Sequence, residues 1–274
     1  MASAEAAVRP YPLDNAKSKS SEHHAGLAGL LDPFTKARIT HLVDLAGKRC
    51  LEVGAGGGSI AVWLAEQVGP AGSVVATDLK PQHIPPHERL TVLAHDLTAE
   101  PIPGGPYDVI HCRLVLHHLP SRRDILRRLV QALAPGGVLI NEDWASDHPE
   151  EVLATAPTAE AAELYTLYLR IAGEKGFAAA GTDRGWARRV HGVMVEEGLV
   201  DVSTLITATS WTGGSVGARM TAAIADQLRD KLIAAGMTVE QLEQLRNLLD
   251  DPRLAVFTFP LYSTAGWAPR GEHT

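Results

Sequence analysis

Cysteine is scarce: the chain of 274 residues holds two, Cys50 and Cys112. Both sit inside strand-like apolar runs, where an unpaired cysteine behaves as a small buried hydrophobe, so neither a disulfide framework nor a thiolate metal site is expected. No uninterrupted apolar run approaches the ~18 residues of a membrane helix, which argues against a membrane as partner. The opening MASAEAAVRPYPLDNAKSKS has no apolar stretch behind a basic start, so no secretory signal is read there and the expected location is cytoplasmic. Basic excess is missing too. A formal net charge of −7 without long runs lacks the footprint that neutralises phosphates, so no nucleic-acid partner is expected. The one basic spot is RRDILRR, with Arg122, Arg123, Arg127 and Arg128 at i, i+4 spacing, and it reads as a solvated helix face.

What is present is an ordinary globular balance, 45% hydrophobic and 21% charged, in a length that suits one domain with a lid. Strand-like runs are RCLEVGA (49–55), SVVATD (73–78), LTVLAHD (90–96), YDVIHCR (107–113) and GVLINEDW (137–144). Their near-continuous apolar character predicts burial on both faces, as in a parallel sheet covered by helices. SIAVWLAEQVG and RRDILRRLVQALAPGG read as helices between them, the second ended by Pro135, Gly136 and Gly137. Strand and helix in alternation predict an α/β, Rossmann-like, doubly wound sheet. KPQHIPPHERL is too proline-rich for a long helix.

Upstream, DPFTKARITHLVDLAGK reads as an amphipathic helix with Asp32 as cap and Pro33 at its first position, behind an arm of residues 1–31. Downstream, 146–198 carries two helix-like stretches and reads as a helical insertion. LVDVSTLITATSW follows as a strand, VGARMTAAIADQLRDKLIAAG and TVEQLEQLRNLLDD as helices, and AVFTFPLYSTAGWAP as a final strand-like run. The stripe Met220, Ile224, Leu228, Leu232 at i, i+4 spacing reads as core or dimer surface.

The stretch LEVGAGGGSI (51–60) follows an apolar run and opens a helix, the setting in which a ligand lies against backbone N–H groups at a helix N-terminus. A triphosphate loop needs a lysine that is missing here. A dinucleotide loop would use Gly54 and Gly56 but then needs glycine, or in some such proteins alanine, at 59, where Ser59 stands; it stays open as a nicotinamide-dependent oxidoreductase with Asp78 on the ribose. The spacing present is E-x-G-x-G-x-G over Glu52, Gly54, Gly56 and Gly58, which resembles motif I of the class I S-adenosylmethionine-dependent methyltransferases. Gly57 has no part in that motif.

The resemblance runs on through Asp78 at the end of the second strand, His95-Asp96-Leu97 at the end of the third, YDVIHCRLVLHHLP and LAPGGVLINED. With YPLDN, LAGLLDPFTKARI and LLDDPRLAVFTFPLYSTAGW it extends over nearly the whole chain to a group of actinobacterial natural-product methyltransferases. It implies a seven-stranded, mostly parallel sheet with helices on both faces, a methyltransferase domain over 32–274, and S-adenosyl-L-methionine as cofactor. The donor site it implies is Glu52, Gly54, Ala55, Gly56, Gly58, Asp78, Leu79, Asp96, Leu97 and Arg113, with Tyr11 of the arm reaching the donor. Asp78 would accept from the ribose hydroxyls and Asp96 from the adenine amino group.

Methyl transfer from a sulfonium is an in-line displacement in which alignment and exclusion of water carry much of the rate, and a base is needed only if the acceptor must lose a proton. The acceptor is expected beyond the C-terminal ends of the fourth and fifth strands. His117 is the candidate base, since imidazole titrates near neutrality, and Asp143 the second catalytic candidate. His118, Asp147 and His148 are further polar candidates. No metal is expected, because a hard cation needs several convergent oxygens. Tyr165, Tyr168, Phe177 and Trp186 are expected to roof the crevice over a small-molecule acceptor, and the chain is expected to form a homo-oligomer. A cyclisation or rearrangement that only binds the donor stays open beside methyl transfer at O, N or C.

Overall fold

The computed structural model describes residues 20–271, with side chains from residue 24 on. Its core is the expected sheet, seven strands in the order β3-β2-β1-β4-β5-β10-β7. These are β1 (Arg49–Val53), β2 (Ser73–Asp78), β3 (Leu90–Ala94), β4 (Tyr107–Arg113), β5 (Leu133–Trp144), β7 (Val200–Thr207) and β10 (Leu261–Trp267). The first five pair in parallel, and β10 runs antiparallel to both β5 and β7. Two apolar layers sandwich it. Cys50, Val74, Val109, Val138 and Ile140 meet Ile39, Ile60 and Leu64 of α1 (Ser20–Leu42) and α2 (Ser59–Gln67). Leu51, Ile110, Cys112 and Leu139 meet Ile125, Leu126 and Val193 of α3 (Arg122–Gln131) and α5 (Val190–Glu196). Successive strand residues point to opposite faces, so a strand buried on both sides reads as continuously apolar. Both cysteines are free and buried, and burial pushes the Cys50 thiol up to about 12.

Three expectations fail at element boundaries. Asp32 does not cap a helix: α1 already begins at Ser20 and continues through Pro33. Interior proline costs about 3 kcal/mol, but α1 lies against α6 (Val216–Gln227), where a Cβ on Gly26 would come within 2.8 Å of Met220 Cβ. Tertiary packing thus extends a helix whose local sequence signals a start at Pro33. α3 ends at Gln131 and β5 starts at Leu133, ahead of Pro135, so those residues open a strand instead of closing a helix. LVDVSTLITATSW divides into β7 and β8 (Ser210–Thr212), which lie in different sheets.

The second sheet is small, β6 (Leu153–Thr155), β9 (Ala255–Phe257) and β8 in the order β6-β9-β8. With α4 (Ala159–Ile171), α6, α7 (Arg229–Ala234) and α8 (Val239–Asp250) it encloses its own core of Tyr165, Tyr168, Trp211, Leu228, Leu232, Leu245 and Leu249. The expected insertion over 146–198 is therefore divided. Its α4 belongs to this cap together with residues past 210, while Trp186, Val190 and Met194 pack on the main sheet. Leu228 and Leu232 of the expected stripe are core. Among the described residues no helix is long and apolar enough to cross a membrane.

Candidate active site

The chain leaves β1 at Val53 and turns through the glycines into α2. Gly54, Gly56 and Gly58 take φ values of 64, 55 and 80°, the left-handed region that glycine adopts without penalty. Space forbids a side chain as well: a Cβ on Gly54 would lie 2.4 Å from Val115 Cγ2, and one on Gly58 2.8 Å from Ile84 Cγ2. Gly57 has no such φ, yet its Cβ would meet His24 Cβ at 3.1 Å. Its smallness admits α1 over the loop.

Asp78 ties this loop to β2. Its Oδ2 accepts from the Gly56 N–H at 2.9 Å and its Oδ1 from the Lys80 N–H at 2.9 Å. A carboxylate offers about four acceptor positions, so Asp78 keeps capacity toward the cavity that it lines. Asp96 Oδ1 accepts from Thr98 Oγ1 at 2.6 Å and Thr98 N at 2.8 Å, and the Thr98 hydroxyl above all holds its carboxyl below the usual range. Ala55, Leu79, Leu97 and His24 complete this half of the wall. Burial lowers the His24 pKa, with Asp78 opposing.

The cavity extends from the loop to the cap, with a volume of about 1620 Å³. Between its halves stands His117, in the turn after β4. Its Nδ1 donates to Asp143 Oδ1, and Asn141 Nδ2 donates to the other oxygen of that carboxylate at 3.0 Å. Asp143 has no exposed surface and does not line the cavity; His117 does. A carboxylate on Nδ1 fixes the tautomer, so the neutral ring holds its lone pair on Nε2, the nitrogen left for the cavity.

Beneath the donor half lies a chain of buried polar groups. His111 of β4 has no exposure and stands between Glu52 (Nδ1 to Oε2, 2.7 Å) and Glu142 (Nε2 to Oε2, 3.4 Å). Burial alone would depress this imidazole, but the two carboxylates outweigh it and push its pKa up to about 9. Burial likewise works to raise Glu142, yet His111, Thr35 and Arg113 hold it below its ordinary value. Thr35 donates to Glu142 at 2.5 Å, Arg113 donates to Thr35 at 2.9 Å and to Asp32 at 2.8 Å, and Ser59 donates to Asp32 at 3.2 Å. α1 is thereby fastened to the sheet and to the first residue of α2.

A family model described as a methyltransferase domain matches residues 28–192, more than half of the chain. The chain belongs to the class I S-adenosylmethionine-dependent methyltransferases. It is 35% identical over 162 residues to the methyltransferase str3 of Strobilurus tenacellus, covering 57% of this chain and 56% of that protein. It is 34% identical over 116 residues to the ubiquinone biosynthesis O-methyltransferase of Burkholderia multivorans, covering 39% of this chain and 49% of that one. The chain thus spans about half the length of these curated relatives. In fold it is similar to the YcgJ protein of Bacillus subtilis, with a TM-score of 0.54, 15% identity, and 91% and 100% of the two chains covered.

Within the methyltransferase, the family's donor replaces the dinucleotide as the loop's ligand, and Ser59 donates to Asp32 where a dinucleotide loop needs glycine or alanine. The residues fit S-adenosylmethionine: a loop stripped of side chains faces the cavity, with the Asp78 and Asp96 carboxylates beyond it. Glu52 and Arg113 line the same wall, but their charged ends are engaged with His111 and with α1. Tyr11 lies outside the described residues. Asp147 pairs with Arg188, and neither it nor His148 lines the cavity. Trp186 is buried against the sheet, not in the roof, whereas Tyr165, Tyr168 and Phe177 are in the cavity wall. Arg122, read as a solvated face, turns inward to Asp183 at 3.0 Å.

Sequence reasoning passed over Trp144, Trp211 and Phe259 in the wall, and it gave Glu52 to the donor without linking it to His111 and Glu142. That link had a signal: a charged or imidazole side chain at a central position of three otherwise apolar strands. The aromatic residues had none, since their strands give no periodicity that separates wall from core.

Proposed function

We propose that the protein methylates an oxygen nucleophile of a small organic acceptor, with His117 as general base and Asp143 as the residue that orients it. The observation that carries this reading is the His117–Asp143 pair at the ends of β4 and β5, on the cavity that the glycine loop also borders. A base on Nε2 serves an acceptor whose proton must leave, as a hydroxyl's must. The relatives include ubiquinone biosynthesis O-methyltransferases, which supports oxygen over nitrogen or carbon.

When bound, S-adenosylmethionine supplies a methyl group on a sulfonium that leaves as neutral S-adenosylhomocysteine. Gly54 and Gly56 would let the backbone approach this ligand, Gly58 shapes the turn against Ile84, and Asp78 would accept from the ribose and Asp96 from the base. His117 Nε2 takes the acceptor's hydroxyl proton as the oxygen gains the methyl group, and Asp143 stabilises the imidazolium that results. α1 and the cap supply apolar wall around the cavity, which limits the water beside the bound ligands. Calorimetric titration with S-adenosylmethionine and with NAD, together with an assay for S-adenosylhomocysteine, tests the reading. Donor binding and S-adenosylhomocysteine release are expected; tight NAD binding without donor heat, or turnover that forms no S-adenosylhomocysteine, overturns it.

A further inference from the structure

The chain is poor in aromatic residues, with 5 Trp, 5 Tyr and 4 Phe. Seven of these 14 line the cavity: Trp144, Tyr165, Tyr168, Phe177, Trp211, Phe257 and Phe259. All seven stand in the acceptor half, on β5 and the cap. Aromatic walls favour flat, polarisable ligands through stacked and edge contacts.

Most polar side chains of that half are already engaged, the Trp144 Nε1 and Arg184 Nε atoms excepted. His118 Nδ1 bonds Thr182 Oγ1 at 2.9 Å, and Thr258 Oγ1 accepts from Thr209 N at 3.1 Å. Thr221 donates to the Gly217 carbonyl at 3.0 Å. Arg122 divides its guanidinium between Asp183 and the carbonyls of Gly181 and Leu116. Arg184 donates to the Ser146 carbonyl through Nη2, while its buried Nε has no hydrogen-bond partner among the described residues. A cationic ligand here would lose its hydration with no carboxylate among the described residues of this half to meet it, and an anion would meet only the partly buried Arg184 guanidinium, against a cost of several kcal/mol per desolvated ion.

Past Ile171, α4 widens into a π-helical turn over Ala172–Phe177. Such turns are rare and recur at functional sites. This one sets Ala172 and Gly173 in the wall, the latter against the Arg184 guanidinium, and brings Phe177 beside His118, the residue after the base. Its ring lies 6.2 Å from that of His118 with 29° between planes, and His118 lies 3.7 Å from His117. Single-ligand pockets usually measure ~300–1,000 Å³. Beside a donor at the top of that range, the 1620 Å³ cavity leaves about 600 Å³ for the acceptor.

We propose that the acceptor is a neutral, lipophilic compound of two or more fused rings bearing a hydroxyl group, and that Phe177 on the π-helical turn selects its ring. The proposal rests on the methyl-transfer reading and narrows its substrate. A charged or single-ring acceptor would leave the aromatic wall unfilled or its own charge unpaired.

The test is a fluorescence titration of the full chain saturated with S-adenosylhomocysteine, following Trp144 and Trp211. The probes are 1-naphthol, 1-hydroxyanthraquinone, phenol and 1-hydroxy-2-naphthoate. Both neutral fused-ring compounds are expected to bind about tenfold or more tighter than phenol, from the added buried ring, and tighter than the naphthoate. Phe177→Ala is expected to weaken 1-naphthol about tenfold while calorimetry finds S-adenosylhomocysteine binding unchanged, and Phe177→Tyr to restore it. Phenol binding as well as 1-naphthol overturns the proposal, as does a preferred naphthoate, which would make Arg184 an anion receptor. Unchanged 1-naphthol affinity in Phe177→Ala overturns the role of Phe177. Should Phe177→Ala lose its fold, the wild-type ranking alone decides the acceptor class. Failure of the wild type to bind S-adenosylhomocysteine overturns the methyl-transfer reading, and the proposal with it.

Discussion

His111 and His117 lie six residues apart, and each rests on a carboxylate of β5, Glu142 for the first and Asp143 for the second. Adjacent strand residues point to opposite faces, so one pair lies on the α1 side of the sheet and the other on the α3 side. Both nitrogens of His111 are taken by carboxylates, and nothing of it meets the cavity. His117 gives one nitrogen to Asp143 and keeps the other for the cavity. The same chemical pair serves as a clamp where it is closed on both sides, and as a base where one side is left open.

The comparison breaks hardest by removing the clamp. His111→Ala is expected to cost about 3–5 kcal/mol of stability in denaturant unfolding, because two buried carboxylates lose their counter-charge. A loss under about 1 kcal/mol would show that the clamp bears no load. His117→Ala is expected to do the reverse. Turnover falls on the order of 10²–10⁴-fold, while S-adenosylhomocysteine binding stays put and the loss of stability is smaller than that of His111→Ala, since one buried carboxylate instead of two loses its partner. A variant that unfolds as His111→Ala does would make His117 a second clamp. Asp143→Asn tests the orienting role: the amide has no charge and one acceptor oxygen for two donors, His117 Nδ1–H and Asn141 Nδ2, and kcat is expected to fall on the order of 10²–10⁴-fold with KM little changed.

Donor binding is a smaller effect that neither histidine should touch. Asp78→Ala is expected to weaken it by about 1.5–3 kcal/mol through lost charge-assisted hydrogen bonds. An unchanged dissociation constant would remove Asp78 from the ribose. The clamp also has a pH signature. Since the folded His111 is raised from 6.5 to about 9, its contribution is full below about pH 6.5 and fades as pH rises through about 9. Glu142 is depressed, so its contribution is present above the ordinary carboxylate range and fades in acid. His111→Gln should flatten the alkaline arm of the stability profile; an arm that persists would belong to another group.

Much of the donor half could be read in sequence because it is local. Gly54, Gly56 and Gly58 announce a backbone conformation and Asp78 a strand end, within one strand-turn-helix unit. The cap was read poorly because its parts are distant: Trp211 and Val256 join Tyr165 only through a second sheet. The same holds for α1, whose upstream turns exist because Gly26 and Gly29 admit α6. Asp143 was found as a candidate but in a different place, under the base instead of beside the acceptor. Its burial depends on which face of β5 it takes, and that is fixed by β4 and α3.

The pH dependence of S-adenosylhomocysteine release by the wild type and by His117→Ala, with a fused-ring hydroxyl acceptor, tests the open-sided pair most directly. A base at His117 predicts a wild-type kcat that falls on the acid side as the imidazole is protonated. In His117→Ala that limb should vanish, with kcat lowered throughout and S-adenosylhomocysteine affinity intact. Full kcat in the variant with the same acid limb would contradict it, and would leave both histidines as structural members of one fold.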